Sequence, residues 1–236
     1  VASTILLIVL LCAMAWWSIR LRWITAAGAA AGVAVALSVF LGAGWLGLLL
    51  LGLFFFMGSL ATKWGKRSKS RQGLEQARSG QRSVPNVLAN GLVPALLGII
   101  AWWIGSPTPW AYPMLAAAIA SAASDTISSE LGNLYGSRYW DLRTGRAGER
   151  GMDGVVSLEG TLLGALASST IAVPVGLAES SWRVLGIVAL AGLFGNFSDS
   201  LLGASLQRRS WLNNHSVNFW STAVAALTAY CLYAIP

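Results

Sequence analysis

Apolar residues along this chain do not alternate. They come in runs of roughly 18 to 22, the length that crosses a bilayer as a helix, set apart by clusters of charge. The runs predict eight helices, at about 3–19, 23–42, 44–61, 84–104, 110–135, 154–178, 183–206 and 216–235. "GLLLLGLFFFMG" shows none of the alternation that a transmembrane barrel strand requires. The expected fold class is therefore all-α. It is a polytopic transmembrane helical bundle of about eight spans, a single membrane domain over 1–236, with a basic loop at 62–83 and a Gly/Arg loop at 136–153.

The charges orient this bundle. Arg20 and Arg22 follow the first predicted span, and seven basic residues from Lys63 to Arg82 follow the third. Arg138, Arg143, Arg146 and Arg150 follow the fifth; Arg208 and Arg209 follow the seventh. Fifteen of the 16 Lys and Arg residues thus fall on connections that alternate to one side, and only Arg183 falls on the other. The positive-inside rule assigns that side to the cytoplasm or stroma and both termini to the opposite side. The net charge of +7 is then a topology signal, and nucleic acid is not an expected partner. The loop 62–83 could also rest on anionic membrane lipids or attract a polyanion.

Polar residues inside the spans are one-sided as well. Asp125 and Glu130, in "AAAIASAASDTISSELGN", precede Arg138 by about 20 and 12 Å at helical rise. Asp199 precedes Arg208 by about 13 Å, with Asn196 one turn deeper. Asn86 and Asn90 open the fourth span, Glu159 enters the sixth, and Asn214 and Asn218 open the eighth. Acids at membrane depth are costly and mark functional sites. A shared half-layer across five helices predicts one polar cavity open to the cytoplasm. Asp125 and Glu130, five residues apart, diverge by about 140° on a regular helix. Either the helix unwinds near Ser128 and Ser129, or the two acids serve different partners.

Composition narrows the chemistry. Of 236 residues, 56% are hydrophobic and 11% charged, against about a quarter charged in soluble domains. Cys12 and Cys231 lie in apolar runs without CxxC spacing, so they read as small packing residues rather than zinc ligands or a disulfide. No basic region precedes the first run, so a cleaved signal peptide is not expected. Oxygen donors without Cys favour Mg²⁺, which sits between carboxylates and substrate phosphates. His215 reads as a loop or cap residue. In "SRYWDLRTGRAGERGMDG", glycines interleave with Arg143, Arg146 and Arg150, a composition suited to phosphate or to a flexible basic loop. No Walker A or kinase Gly-rich pattern occurs.

"SDTISSELG", "GVVSLEGTLLG", "FSDSLLGASLQ" and "WLNNHSVN" together resemble the membrane family of phytyl-phosphate kinase, which also includes transmembrane protein 19. The likeness covers roughly residues 55–235. It implies phosphoryl transfer from a nucleoside triphosphate, typically CTP, to a prenyl monophosphate, giving the diphosphate used in tocopherol-type biosynthesis. By the resemblance, the catalytic set is Asp125, Glu130, Glu159 and Asp199, and the Asn pair is Asn213 and Asn214. Asp125, Asp199 and Glu130 are the expected metal ligands. Arg82, Arg143, Arg146, Arg150, Asn90, Asn196, Asn213, Asn214 and Asn218 are the expected binders of nucleotide and lipid phosphate. Gly151–Gly154 departs from the kinases' Gly-Thr-Glu-Gly run. The main rival is a transporter for an anionic or lipid-phosphate substrate. No expectation is set for oligomeric state.

Overall fold

The computed structural model describes residues 2–66, 80–105 and 109–235. The basic stretch 67–79, with Arg67, Lys69, Arg71 and Arg78, lies outside the described residues. Among the described residues seven helices run in chain order: α1 (Ala2–Arg20), α2 (Ala26–Lys63), α3 (Val84–Ile104), α4 (Ala111–Tyr135), α5 (Leu158–Ala178), α6 (Trp182–Leu202) and α7 (Asn214–Ala234). A π-helical turn, Gly203–Gln207, extends α6. Between α4 and α5 lies an antiparallel pair, β1 (Tyr139–Asp141) and β2 (Val155–Ser157), in the register Tyr139↔Ser157.

At 38 residues, α2 would be roughly 57 Å long if straight, about twice the hydrocarbon thickness of a bilayer. It is not straight. Gly44 takes φ 54°, ψ −144°, open to glycine alone at low cost, and reverses the chain. A Cβ on Gly47 would lie 2.6 Å from the Val39 side chain, which a continuous helix would hold two turns away. The Trp23 ring, before α2, packs at a tilt against both Phe55 and Phe56 of its second half, with centroids 6.0 Å apart. The two expected spans 23–42 and 44–61 are thus one helical hairpin.

The core is built around α4, which touches α2, α3, α5, α6 and α7. Its segment Ala116–Ser124 is buried on every face. Only small side chains let so many helices approach at once. A Cβ on Gly192 of α6 would come within 2.6 Å of the Ala120 methyl, and one on Gly160 of α5 within 2.8 Å of the Ser128 carbonyl. Enclosure also explains composition. Among the described residues five helices are long and apolar enough to cross a membrane, namely α1, α2, α3, α5 and α6 with its π turn. Helices α4 and α7 fall outside that set; on α4 the neighbouring helices bury Ser121, Ser124 and Glu130.

Cys12 and Cys231 do not pack inside; both are exposed on the outer surface. The described parts of the connections after α1, α2, α4 and α6 gather at one end. There Arg82 exchanges backbone hydrogen bonds with Trp23 and Thr25 at 3.0 Å, and Lys63 Nζ donates to the Leu21 carbonyl. Arg183 lies at the other end. Its guanidinium donates to the carbonyls of Tyr233 and Ile235, neutralising the negative C-terminus of α7.

Candidate functional site

A cavity of about 740 Å³ opens at the basic end. Helices α3 to α7 supply its walls, and Gly80–Ser83 and Gly151–Ser157 its rim. Asp125 of α4 and Asp199 of α6 both line it. Asp199 Oδ2 is buried without a hydrogen-bond partner, and so is Nδ1 of His215, another lining residue.

Three helices start at this cavity. The N-terminal turns of α3 (Ser83, Asn86), α5 (Ser157, Gly160) and α7 (Asn214, His215) all line it. Each is capped locally. Ser157 Oγ accepts from Gly160 N at 3.1 Å, Asn213 Oδ1 from Ser216 N at 2.9 Å, and Asn86 Oδ1 from Ser83 N at 3.2 Å. Caps satisfy only part of the four free N–H groups at a helix start. The remaining donors and three aligned dipoles make the same end of the bundle favourable to anions.

Helix α4 continues unbroken through Ser128 and Ser129, which decides between the two options for its acids. Asp125 faces the cavity. Glu130 is buried, does not line the cavity, and acts on Arg82 instead. The Arg82 guanidinium enters the bundle, donates to Ser59 Oγ at 2.5 Å and lies 5.2 Å from the Phe55 ring centroid. Burial pushes its pKa down to about 10 against the opposing pull of Glu130, so it stays cationic at neutral pH.

The other expected residues divide. Asn90, Asn196, Asn214 and Asn218 line the cavity together with the two Asp. Asn196 also ties two helices, donating to Ser124 and Ser128 at 3.0 and 3.1 Å. Asn218 reaches Asn90 at 3.5 Å. Asn213 is the cap of α7 and is not part of the lining. Glu159 is outside too. It accepts from the Ser137 hydroxyl at 2.6 Å and clips the start of α5 to the chain leaving α4.

Arg143, Arg146 and Arg150 do not line the cavity. Their loop is built rather than loose. Asp141 Oδ1 accepts from the backbone of Arg143 and Thr144 at 2.9 and 3.0 Å. Its other oxygen pairs with Arg208, and Arg208 Nε donates to the Asp153 carbonyl at 2.8 Å. The Arg208 contact, with the Thr144 and Arg143 N–H groups, holds Asp141 down at about 2. Arg150 stacks over Tyr139 at 5.9 Å.

Sequence reasoning missed Asp153, Tyr139 and Asn133 in the lining and set His215 aside. The Gly-x-x-Gly spacing around Asp153 was the available signal. A Cβ on Gly154 would meet Ala204 and Ser200 at 2.4 Å, so the turn carrying Asp153 is seated on the π turn of α6.

A family model, Integral membrane protein DUF92, matches residues 9–226. The chain belongs to this family of integral membrane proteins. An uncharacterized membrane protein of Methanocaldococcus jannaschii, MJ0933, is 35% identical over 79% of this chain and 76% of the relative. Another from Synechocystis, sll0875, is 35% identical over 79% of this chain and 73% of the relative. Protein VTE6, chloroplastic, of Arabidopsis thaliana is 32% identical over 87% of this chain, which spans 64% of that relative's length. The family resemblance read from the sequence is thereby borne out. No solved structure matches.

Proposed function

We propose that this protein is a prenyl-phosphate kinase, transferring a phosphoryl group from a nucleoside triphosphate, CTP in the resembling family, to a prenyl monophosphate. One observation carries the reading: two membrane-depth carboxylates, Asp125 and Asp199, share a cavity with three helix N-termini. Acids call for a cation and helix starts for anions, and a metal-bound polyphosphate satisfies both. Similarity to VTE6 and the phytyl-phosphate kinase motifs support the same substrate class.

Mg²⁺ fits the donors present. Among the described residues no group of three or more His, Cys, Asp or Glu forms a protein cage. Mg²⁺ does not need one, since it keeps waters and takes phosphate oxygens beside one or two carboxylates. Asp125 and Asp199 would hold it, the unpartnered Oδ2 of Asp199 being a ready donor. Bound there, it would offset charge on the transferring group.

The residues of this chain do the positioning. N–H groups at the starts of α3, α5 and α7 hold phosphate oxygens. Arg82, cationic and fixed by Ser59, offsets the charge of two phosphorylated reactants. Acceptor phosphate is already anionic near neutral pH, so attack on the γ-phosphorus displaces the nucleoside diphosphate without a strong base. Arg143, Arg146 and Arg150, on the rim loop, draw the nucleotide toward the cavity.

The reading includes eight crossings, with α2 contributing two, the cavity facing the cytoplasm or stroma, and both termini opposite. A carrier would need a path to the far side; instead Ala116, Ala117, Ala118 and Ala120 of α4 are wholly buried beyond the cavity. The test is direct: purified protein with Mg²⁺, a panel of prenyl monophosphates and each of the four triphosphates. Triphosphate-dependent prenyl diphosphate is the expected product. Its absence with every pair would overturn the reading.

A further inference from the structure

A second void, of about 400 Å³, opens on the flank of the bundle between the second half of α2, α4 and α5. Its lining is apolar, with Met57, Leu60, Ile127, Leu131, Leu163 and Leu166 supplying most of it. Thr170 at its far end turns its hydroxyl into its own helix, donating to the Leu166 carbonyl at 2.8 Å. At the basic end the groove stops at Trp64 and Tyr135, whose indole N–H donates to the phenol oxygen at 2.6 Å. Trp and Tyr with paired polar tips settle at the headgroup level of a membrane. From Tyr135 to Ile127 the groove runs roughly 12 Å along α4.

The polar cavity lies across the same two helices. Ala61 lines the groove and Thr62 the cavity; Leu131 lines the groove, and Gly132 and Asn133 the cavity. The Arg82 guanidinium stands in the seam between them, against Gly58 and Thr126. A molecule with an anionic head and a hydrocarbon tail finds a matching surface for each part on either side of one helix pair. Bulk phospholipid alone would not need the groove to begin beside a buried cation.

We infer that this groove holds the hydrocarbon chain of the lipid phosphate acceptor, with Arg82 at the junction of chain and phosphate. The acceptor's class rests on the kinase reading above. The groove therefore selects for chain length, and the cavity for the phosphate.

The test uses the full chain in phosphatidylcholine nanodiscs and a farnesyl phosphate bearing a diazirine at the chain terminus. Expected labelling falls in Met57–Trp64 or Leu163–Thr170 and is competed by geranylgeranyl phosphate but not by phosphatidic acid. Leu166→Trp and Thr170→Trp fill the groove and should cut that labelling about tenfold, the loss expected when about two methylenes no longer bury. Leu162→Trp, equally exposed on α5 but outside the groove, should leave it unchanged. Labelling elsewhere, or equal competition by phosphatidic acid, overturns the inference. Because labelling reads binding, groove labelling without any transfer would count against the kinase reading and leave the groove standing.

Discussion

Asp199 and Asp125 differ from the other acids of the bundle in what surrounds them. Glu159 is bound by Ser137, and Glu130 is buried off the cavity within electrostatic reach of Arg82, whereas the two Asp line the open volume. Asp199→Asn keeps the shape and removes the charge. A carboxylate that holds a metal–phosphate complex should then show as a loss of at least about a hundredfold in turnover, the scale of a lost transition-state electrostatic contact. The variant should elute from size exclusion in detergent as wild type does, and raised Mg²⁺ should restore part of the activity. Wild-type turnover at low Mg²⁺ would remove Asp199 from the site.

At the scale of elements, the β1–β2 connection and the π turn of α6 act as one piece. Arg208 bridges them through Asp141 and the Asp153 carbonyl, and that bridge sets the turn bearing Asp153 over the cavity. The clamp has a pH signature. Asp141 is held down at about 2, below the ordinary carboxylate value of about 3.9, so it contributes stability above the ordinary value. That contribution fades as pH falls from about 4 through about 2. Protection against hydrogen exchange at residues 142–153, taken relative to the intrinsic amide rate at each pH, should therefore fall over this window in wild type. In Asp141→Asn the same segment should already be less protected at neutral pH and show no such fall. A flat wild-type profile would mean the bridge does not hold the loop.

For the whole molecule, the two ends differ in charge and in chemistry. Basic connections, helix starts and the cavity share one end; Arg183 and the end of α7 share the other. Thr144 and Glu179 are exposed at opposite ends. In right-side-out cells, Thr144→Cys should resist an impermeant maleimide until the membrane is opened, and Glu179→Cys should react at once. These readouts need a background in which the exposed Cys12 and Cys231 are replaced. The reverse pattern would invert the proposed orientation, and equal reactivity would refute the one-sided arrangement.

Much of this was legible without coordinates. Long apolar runs can only be satisfied as helices in lipid, because backbone polar groups there have no water to bind. Hence the helical membrane class followed from the sequence by itself. So did the presence of acids and carboxamides near the basic ends of five predicted helices, because helical rise converts residue number into depth. What rise cannot give is azimuth across a bundle. Only the packing around α4 decided that Asp125 and Asp199 share a cavity while Glu130 is buried away from it. Likewise, the glycine and arginine pattern of 136–153 fits a loose loop as well as a built one. The distant partner Arg208 made it the latter. Neither neighbour could be read from the chain, since side-chain contact across helices depends on how small residues let them approach, a property of the assembled fold.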